Sequence, residues 1–328
     1  MTAVGNVFYL SWEVELMAFL QAHLSAGAMS MISLLSVFGE ELVMVAVMGF
    51  LYWCYDKEFG KFVGLNMLCA NVWGPMIKNV FLRLRPYFVS DRITLLRLID
   101  PSADAFDVTA QGYSFPSGHS AGAVTVYGSL AARGRKKWLT VLAILLPLLV
   151  GFSRVAVGAH FPTDVLAGWA LGLLVIVLVP WLRQRLSRGV FYVILLLIGL
   201  PGFFYCTSTD FYTSYGMLLG FVLAEPFEER FVRFENTRSP IRAVLRVVGG
   251  GGVYFALNTL LKLPFSSELL SRGDLAAHLI RTGRYAVVIF VVIAIYPMLF
   301  KLTARIGAKK EPEEKRGTQS RDTKICAL

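Results

Sequence analysis

Nine apolar stretches, at about 39–55, 60–82, 117–132, 138–157, 163–182, 189–206, 211–225, 243–261 and 285–300, divide this sequence. Crossing a bilayer takes roughly 20 apolar residues in a helix, and these runs come close to that or reach it. Inside lipid the backbone has no water to bond, so such runs fold as helices and not as open strands. The expected fold is therefore all-α, a polytopic membrane helical bundle. With 56% hydrophobic and 16% charged residues among 328, soluble classes are excluded. The net charge of +10 does not indicate nucleic acid, because the basic residues fall between apolar runs and form no stripe.

Lys and Arg set the expected orientation. Arg133, Arg135, Lys136 and Lys137 follow the third run, and Arg183, Arg185 and Arg188 follow the fifth. Those connections are expected in the cytoplasm, which puts the N-terminus outside, the basic C-terminus inside and the protein in the plasma membrane. Residues 1–37 mix apolar residues with Trp12, Glu13, Glu15, Gln21 and His23, the pattern of an interfacial or re-entrant segment. No cleaved signal peptide is expected, since there is no basic n-region. The charged tail, 303–328, is expected to be disordered. Cys54, Cys69, Cys206 and Cys326 have no metal-ligand spacing and read as inert thiols.

Three polar clusters interrupt this pattern. Lys78 and Arg85 are seven residues apart, on one face if the second helix continues, about 10 Å along its axis. Cations there are costly unless they reach water or meet an anion. The second cluster, Pro116-Ser117-Gly118-His119, heads the third run. Pro116 suits a first helical turn, Gly118 allows close approach, and free N–H groups at the helix start can seat an anion beside His119. In the third, Ser153-Arg154 leads through His160 to Asp164, with Pro162 placed to open the fifth helix. Asp164 can then hold one imidazole nitrogen of His160 and leave the other nucleophilic, while Arg154 offers a fork for phosphate oxygens. The long polar segment 83–115 precedes the second cluster, and all three clusters are expected at one face of the membrane.

Lys78 with six residues to Arg85-Pro86, then Pro116-Ser117-Gly118-His119, then Ser153-Arg154 with five residues to His160 and three more to Asp164, resembles the three-part pattern of the type 2 phosphatidic acid phosphatase (PAP2) superfamily. The resemblance implies a six-helix core of the PAP2/haloperoxidase type over 38–206, with about three additional transmembrane helices over 207–302. The nine-span, N-outside layout is similar to that of glucose-6-phosphatase. The implied activity is hydrolysis of a membrane lipid phosphate or diphosphate through a phosphohistidine on His160. Asp164 would orient that ring, and His119 would protonate the leaving oxygen. Lys78, Arg85 and Arg154, with the backbone around Ser117 and Gly118, would hold the phosphoryl oxygens. No cofactor and no metal are expected. A phosphotransferase, a sugar-phosphate phosphatase and a non-enzymatic transporter are the alternatives, and a homo-oligomer is an open possibility.

Other residues carry less. Arg83 reads as an interface anchor, and His23 and His278 as interfacial or loop residues. Glu40 and Glu41 either pair with site cations or touch a head group, or else follow the helix-dipole preference. The charged residues from Glu225 to Arg246 read as an interfacial, salt-bridged helix. Gly249 to Gly252 read as a place of close packing or a break.

Overall fold

A computed structural model describes residues 5–97 and 103–300, apart from the side chain of Thr109. The expected disordered tail, Cys326, and Asp100 and Pro101 of the polar segment lie outside the described residues. Fourteen α-helices run in order: α1 Ser11–His23, α2 Ala26–Leu35, α3 Glu41–Phe50, α4 Lys57–Phe81, α5 Pro86–Val89, α6 Val108–Gln111, α7 Gly118–Gly134, α8 Lys137–Ala156, α9 Pro162–Arg185, α10 Arg188–Gly199, α11 Thr209–Phe227, α12 Pro240–Leu260, α13 Ser267–Ser271 and α14 Leu275–Phe290. No strand occurs among the described residues, only an isolated bridge between Asn6 and Arg83.

All nine apolar runs are helical, but among the described residues four helices qualify as membrane spans by length and apolarity: α8, α9, α12 and Leu275–Phe300. The pair Ala26–Gly39 and Glu41–Tyr55, bent by 43°, is either a fifth, broken span or a re-entrant loop. The runs at 60–82 and 117–132 fall short for a physical reason. α4 carries Lys57, Glu58, Lys61 and Lys78, and α7 is rich in small and hydroxyl residues. Both helices are sheathed by others: α7 packs against α4, α8 and α9. One core joins Trp73, Leu171, Val175, Phe191, Phe211 and Leu218. A second joins Met44, Val63, Met67, Ala123 and Val150.

Two glycine contacts set the α7–α9 approach. A Cβ on Gly168 would stand 2.6 Å from the Ser117 carbonyl, and one on Gly172 would stand 2.7 Å from Val124. Only hydrogen atoms fit there, so α9 at Gly168 and Gly172 lies close against the start of α7. α12 continues unbroken through Gly249–Gly252; Gly250 fits under Trp53, where a Cβ would meet the ring at 2.2 Å.

The alternation of helix direction gathers the C-terminal ends of α4 and α8 with the N-terminal ends of α7, α9 and α11 at one end of the bundle. At the opposite end Lys61 pairs with Glu58, Glu225 and Glu229, Lys57 pairs with Glu228, and Arg188 pairs with Glu225 and Glu229. The acidic residues after the seventh run are thus tied into the bundle through α4, and Glu228 is fully buried. Their salt-bridged character holds, with the bridges running to α4 and Arg188. His278 departs from its loop reading: it is buried in α14, its ring stacked on Tyr212 at 4.0 Å.

Candidate active site

α4 ends at Phe81, where Leu82 takes a left-handed conformation (φ 50°) and donates its N–H to the Lys78 carbonyl. Arg85 therefore leaves the helix and caps α5 at Pro86, so it does not share a helical face with Lys78 as the spacing suggested. The chain folds back instead. Lys78 Nζ donates to the Tyr113 carbonyl at 2.7 Å, and Arg85 is held by the carbonyls of Gln111, Gly112 and Ala159. Both cations reach the same cavity, of about 330 Å³.

Ser117, not Pro116, forms the start of α7: it is the N-cap, its hydroxyl accepting from Ser120 N, and Pro116 precedes it. Gly118 and His119 in the first turn of α7, whose N–H groups have no intrahelical partner, form part of the cavity wall. The third cluster follows its predicted local structure. Pro162 opens α9, and the Asp164 carboxylate folds back to accept from Phe161 N at 2.7 Å. Gly158, with φ +79°, turns the chain between α8 and α9; a Cβ there would strike the Thr94 carbonyl at 2.4 Å. That turn presents His160 to the cavity.

The His160 ring is clamped from two sides. Its Nδ1 faces Asp164 Oδ2 at 3.6 Å and Ser114 Oγ at 3.4 Å, and Ser114 itself donates a short hydrogen bond to Asp164. The Nε2 atom faces Arg85 Nη1 at 3.3 Å. With acceptors gathered at Nδ1, the proton belongs there and the Nε2 lone pair is directed toward Arg85 and the cavity. Burial first, and then the cations of Arg85, Lys78 and Arg154, hold this imidazole well below its ordinary value, with Ser114 acting the other way.

Lys78, Arg85, Gly118, His119 and His160 line one cavity together. Arg154, Ser117 and Asp164 stand behind it. The Arg154 guanidinium donates to Ser36 Oγ at 3.3 Å, its carbonyl accepts from His160 N, and its buried Nε has no partner among the described residues. The rest of the wall is apolar around Met44, Met67 and Leu171, with Glu41 and Asp210 as acidic members. Glu40 turns away and pairs with Arg97.

Sequence reasoning missed four residues. Ser114 is one, and the others are Arg83, Glu13 and Thr163. Arg83 is no interface anchor: it is buried, and its Nη1 meets Asp164 Oδ1 at 2.6 Å while its Nη2 meets Glu13 Oε2 at 3.0 Å. The one available signal was a third cation crowded between Lys78 and Arg85.

Comparison with known proteins gives the family. Residues 59–188 match the PAP2 superfamily, and residues 212–309 match the PAP2 superfamily phosphatase transmembrane extension. The chain is 32% identical over 175 residues to an undecaprenyl-diphosphatase of Sulfolobus acidocaldarius, covering 52% of this chain and 77% of that one. It is 40% identical over 90 residues to phosphatidylglycerophosphatase B of Bacillus subtilis, covering 25% of this chain and 44% of the relative. Over 147 residues it is 35% identical to the mouse glucose-6-phosphatase catalytic subunit 1, covering 38% and 40% of the two chains. A crystal structure of a transmembrane PAP2 type phosphatidylglycerolphosphate phosphatase from Bacillus subtilis superposes with a TM-score of 0.42 at 25% identity, over 54% of this chain and 87% of that one. On the extent of the archaeal match and the two family segments, this multi-pass membrane chain belongs to the PAP2 superfamily of phosphatases.

Proposed function

We propose that the protein hydrolyses a lipid phosphate or diphosphate, without a metal, through a phosphohistidine on His160. The observation that carries this reading is the meeting of an imidazole oriented by Asp164 with Lys78, Arg85, His119 and the first turn of α7 around one cavity. His160 Nε2 forms a bond to phosphorus as the bond from phosphorus to the leaving oxygen breaks, and His119 gives that oxygen a proton. Water then attacks the phosphohistidine, releasing inorganic phosphate and restoring both rings. Lys78 and Arg85, with the α7 amides, neutralise the oxyanion as its charge grows, and Arg154 supports them from behind.

The apolar wall beside the cations favours a lipid over a soluble ester, since a chain carbon next to the phosphate can stay out of water. The relatives' printed names supply the candidate head groups: undecaprenyl diphosphate and phosphatidylglycerol phosphate. The Lys- and Arg-rich connections at 133–137 and 183–188 lie at the end of α7 and α9 opposite the cavity, which argues for an extracytoplasmic site and a cytoplasmic C-terminus. In this reading 38–206 is the catalytic core and 207–302 an extension that completes one wall.

The test is phosphate release by purified protein in EDTA from phosphatidic acid, phosphatidylglycerol phosphate, undecaprenyl diphosphate and sphingosine phosphate, with glucose 6-phosphate as the soluble arm. Turnover of at least one lipid, blocked by orthovanadate and lost in His160→Ala, is expected. Turnover of none, or full activity of His160→Ala, overturns the reading.

A further inference from the structure

Behind His160 and Asp164 lies a second, fully buried charge cluster that the hydrolysis scheme does not use. Its centre is Arg83, and every face of that guanidinium is occupied. Nε donates to the Phe8 carbonyl at 2.8 Å, Nη1 donates to Asp164 Oδ1 at 2.6 Å and to Thr163 Oγ1 at 2.7 Å, and Nη2 donates to Glu13 Oε2 at 3.0 Å. The ring of Phe161 lies 4.2 Å from its carbon on one side and that of Phe8 4.8 Å away on the other. Glu13 is equally constrained: Oε1 accepts from Thr163 N and Oγ1, and Oε2 also accepts from Leu10 N.

Two charges in contact at such depth cost several kcal/mol of desolvation each, and hydrophobic residues of the same volume would pack there without that cost. What the cluster supplies is direction. Asp164 Oδ1 is fixed by Arg83, which leaves Oδ2 for Phe161 N, Ser114 and the His160 ring. The second carboxylate comes from the N-terminal helix α1. That segment is also stitched to Arg83's own strand of chain, through Asn6 N to the Leu82 carbonyl at 2.8 Å and Leu84 N to the Asn6 carbonyl at 3.0 Å.

We infer that Arg83 is a positioning residue for the His160–Asp164 pair, and that Glu13 of the N-terminal helix sets how strongly Arg83 acts on it. The N-terminal segment is thereby a working part of the site and not only an interfacial appendage. This rests on the reading of His160 and Asp164 given above. A cation held against the pair disfavours an added proton, and an anion one guanidinium further off does the reverse.

The experiment is the pH dependence of kcat/KM for the full chain in detergent, with whichever of the four named lipids is turned over fastest. Arg83→Gln is expected to move the acid limb to higher pH by about one unit, the scale of a single charge in contact. Glu13→Gln is expected to move it to lower pH by a few tenths of a unit, and Arg83→Lys to leave it near the wild type. Arg83→Gln leaves two carboxylates unpaired and can fail to fold, so the Arg83→Gln/Glu13→Gln double variant, which removes one charge of each sign, is measured beside it. A limb displaced upward in the double variant supports the inference. A limb that stays in place in the double variant and in Glu13→Gln, with only the height of the profile reduced, overturns it and leaves a structural role. An active His160→Ala enzyme removes the underlying reading instead, so the two failures are told apart.

Discussion

His160 owes its chemistry to neighbours that are remote in sequence. Ser114 and Asp164 stand at Nδ1 and Arg85 at Nε2. Because burial and those cations hold the ring below the ordinary imidazole value of 6.5, the neutral nucleophile persists as pH falls through that value and is lost only when the ring protonates below it. The acid limb of kcat/KM, corrected for ionisation of the substrate phosphate, is therefore expected below about 6.5. An acid limb at or above that value contradicts the assignment. Ser114→Ala removes one of two groups oriented at Nδ1, and kcat is expected to fall by roughly tenfold, the value of one hydrogen bond of about 1.4 kcal/mol, with KM little changed. Single-site kinetics check this. Of the eight residues expected at the site, each drawn from a short motif, Lys78, Arg85, Gly118, His119 and His160 line one cavity, and Ser117, Arg154 and Asp164 stand behind it. Ser114, Glu13 and Arg83 were not legible in the sequence, because their roles arise from pairings of 50 and 70 residues' separation that no local period encodes.

Among elements, α11 is the one whose purpose local sequence conceals. Its first residues, Thr209 and Asp210, together with Ser208, line the cavity beside Lys78. They are fastened to α4 by Asn79, which donates to Ser208 Oγ at 2.9 Å and accepts from Thr207 N at 2.9 Å. Asn79→Ala should therefore loosen the wall and raise KM by roughly three- to tenfold, at one or two net hydrogen bonds, while kcat changes less. Steady-state kinetics on the best lipid separate the two parameters, and a loss confined to kcat contradicts this role. Helix α9 was readable to its first turn, since Pro162 and the returning Asp164 carboxylate are local signals. The end of α4 was not: an apolar period ran on past Phe81, but the left-handed Leu82 and Pro86 stop the helix there.

At the scale of the molecule the two ends of the bundle differ in what their charges do. One end leaves cations open to a cavity; the other neutralises them within the fold, with Lys61 and Glu225 buried in contact at 3.4 Å and Glu229 on Lys61 Nζ at 2.6 Å. Lys61→Ala removes one of the two cations that hold Glu225 and Glu229 and leaves them to Arg188, and a loss of about 1–3 kcal/mol is expected. Thermal unfolding in detergent should show a lowered midpoint with KM preserved in the folded fraction. An all-helical membrane bundle was legible from the apolar runs, because the bilayer admits few other solutions. Which helices face lipid was not, since α4 and α7 are shielded by neighbours and need no apolar surface of their own. The central claim, that His160 bonds to phosphorus, is tested most directly by rapid acid-free quench with a substrate radiolabelled in the phosphoryl group, followed by peptide mapping in base. The account predicts a base-stable, acid-labile label on the peptide that carries His160, absent from His160→Ala. Label on any other side chain, or phosphate release by His160→Ala at the wild-type rate, would contradict it.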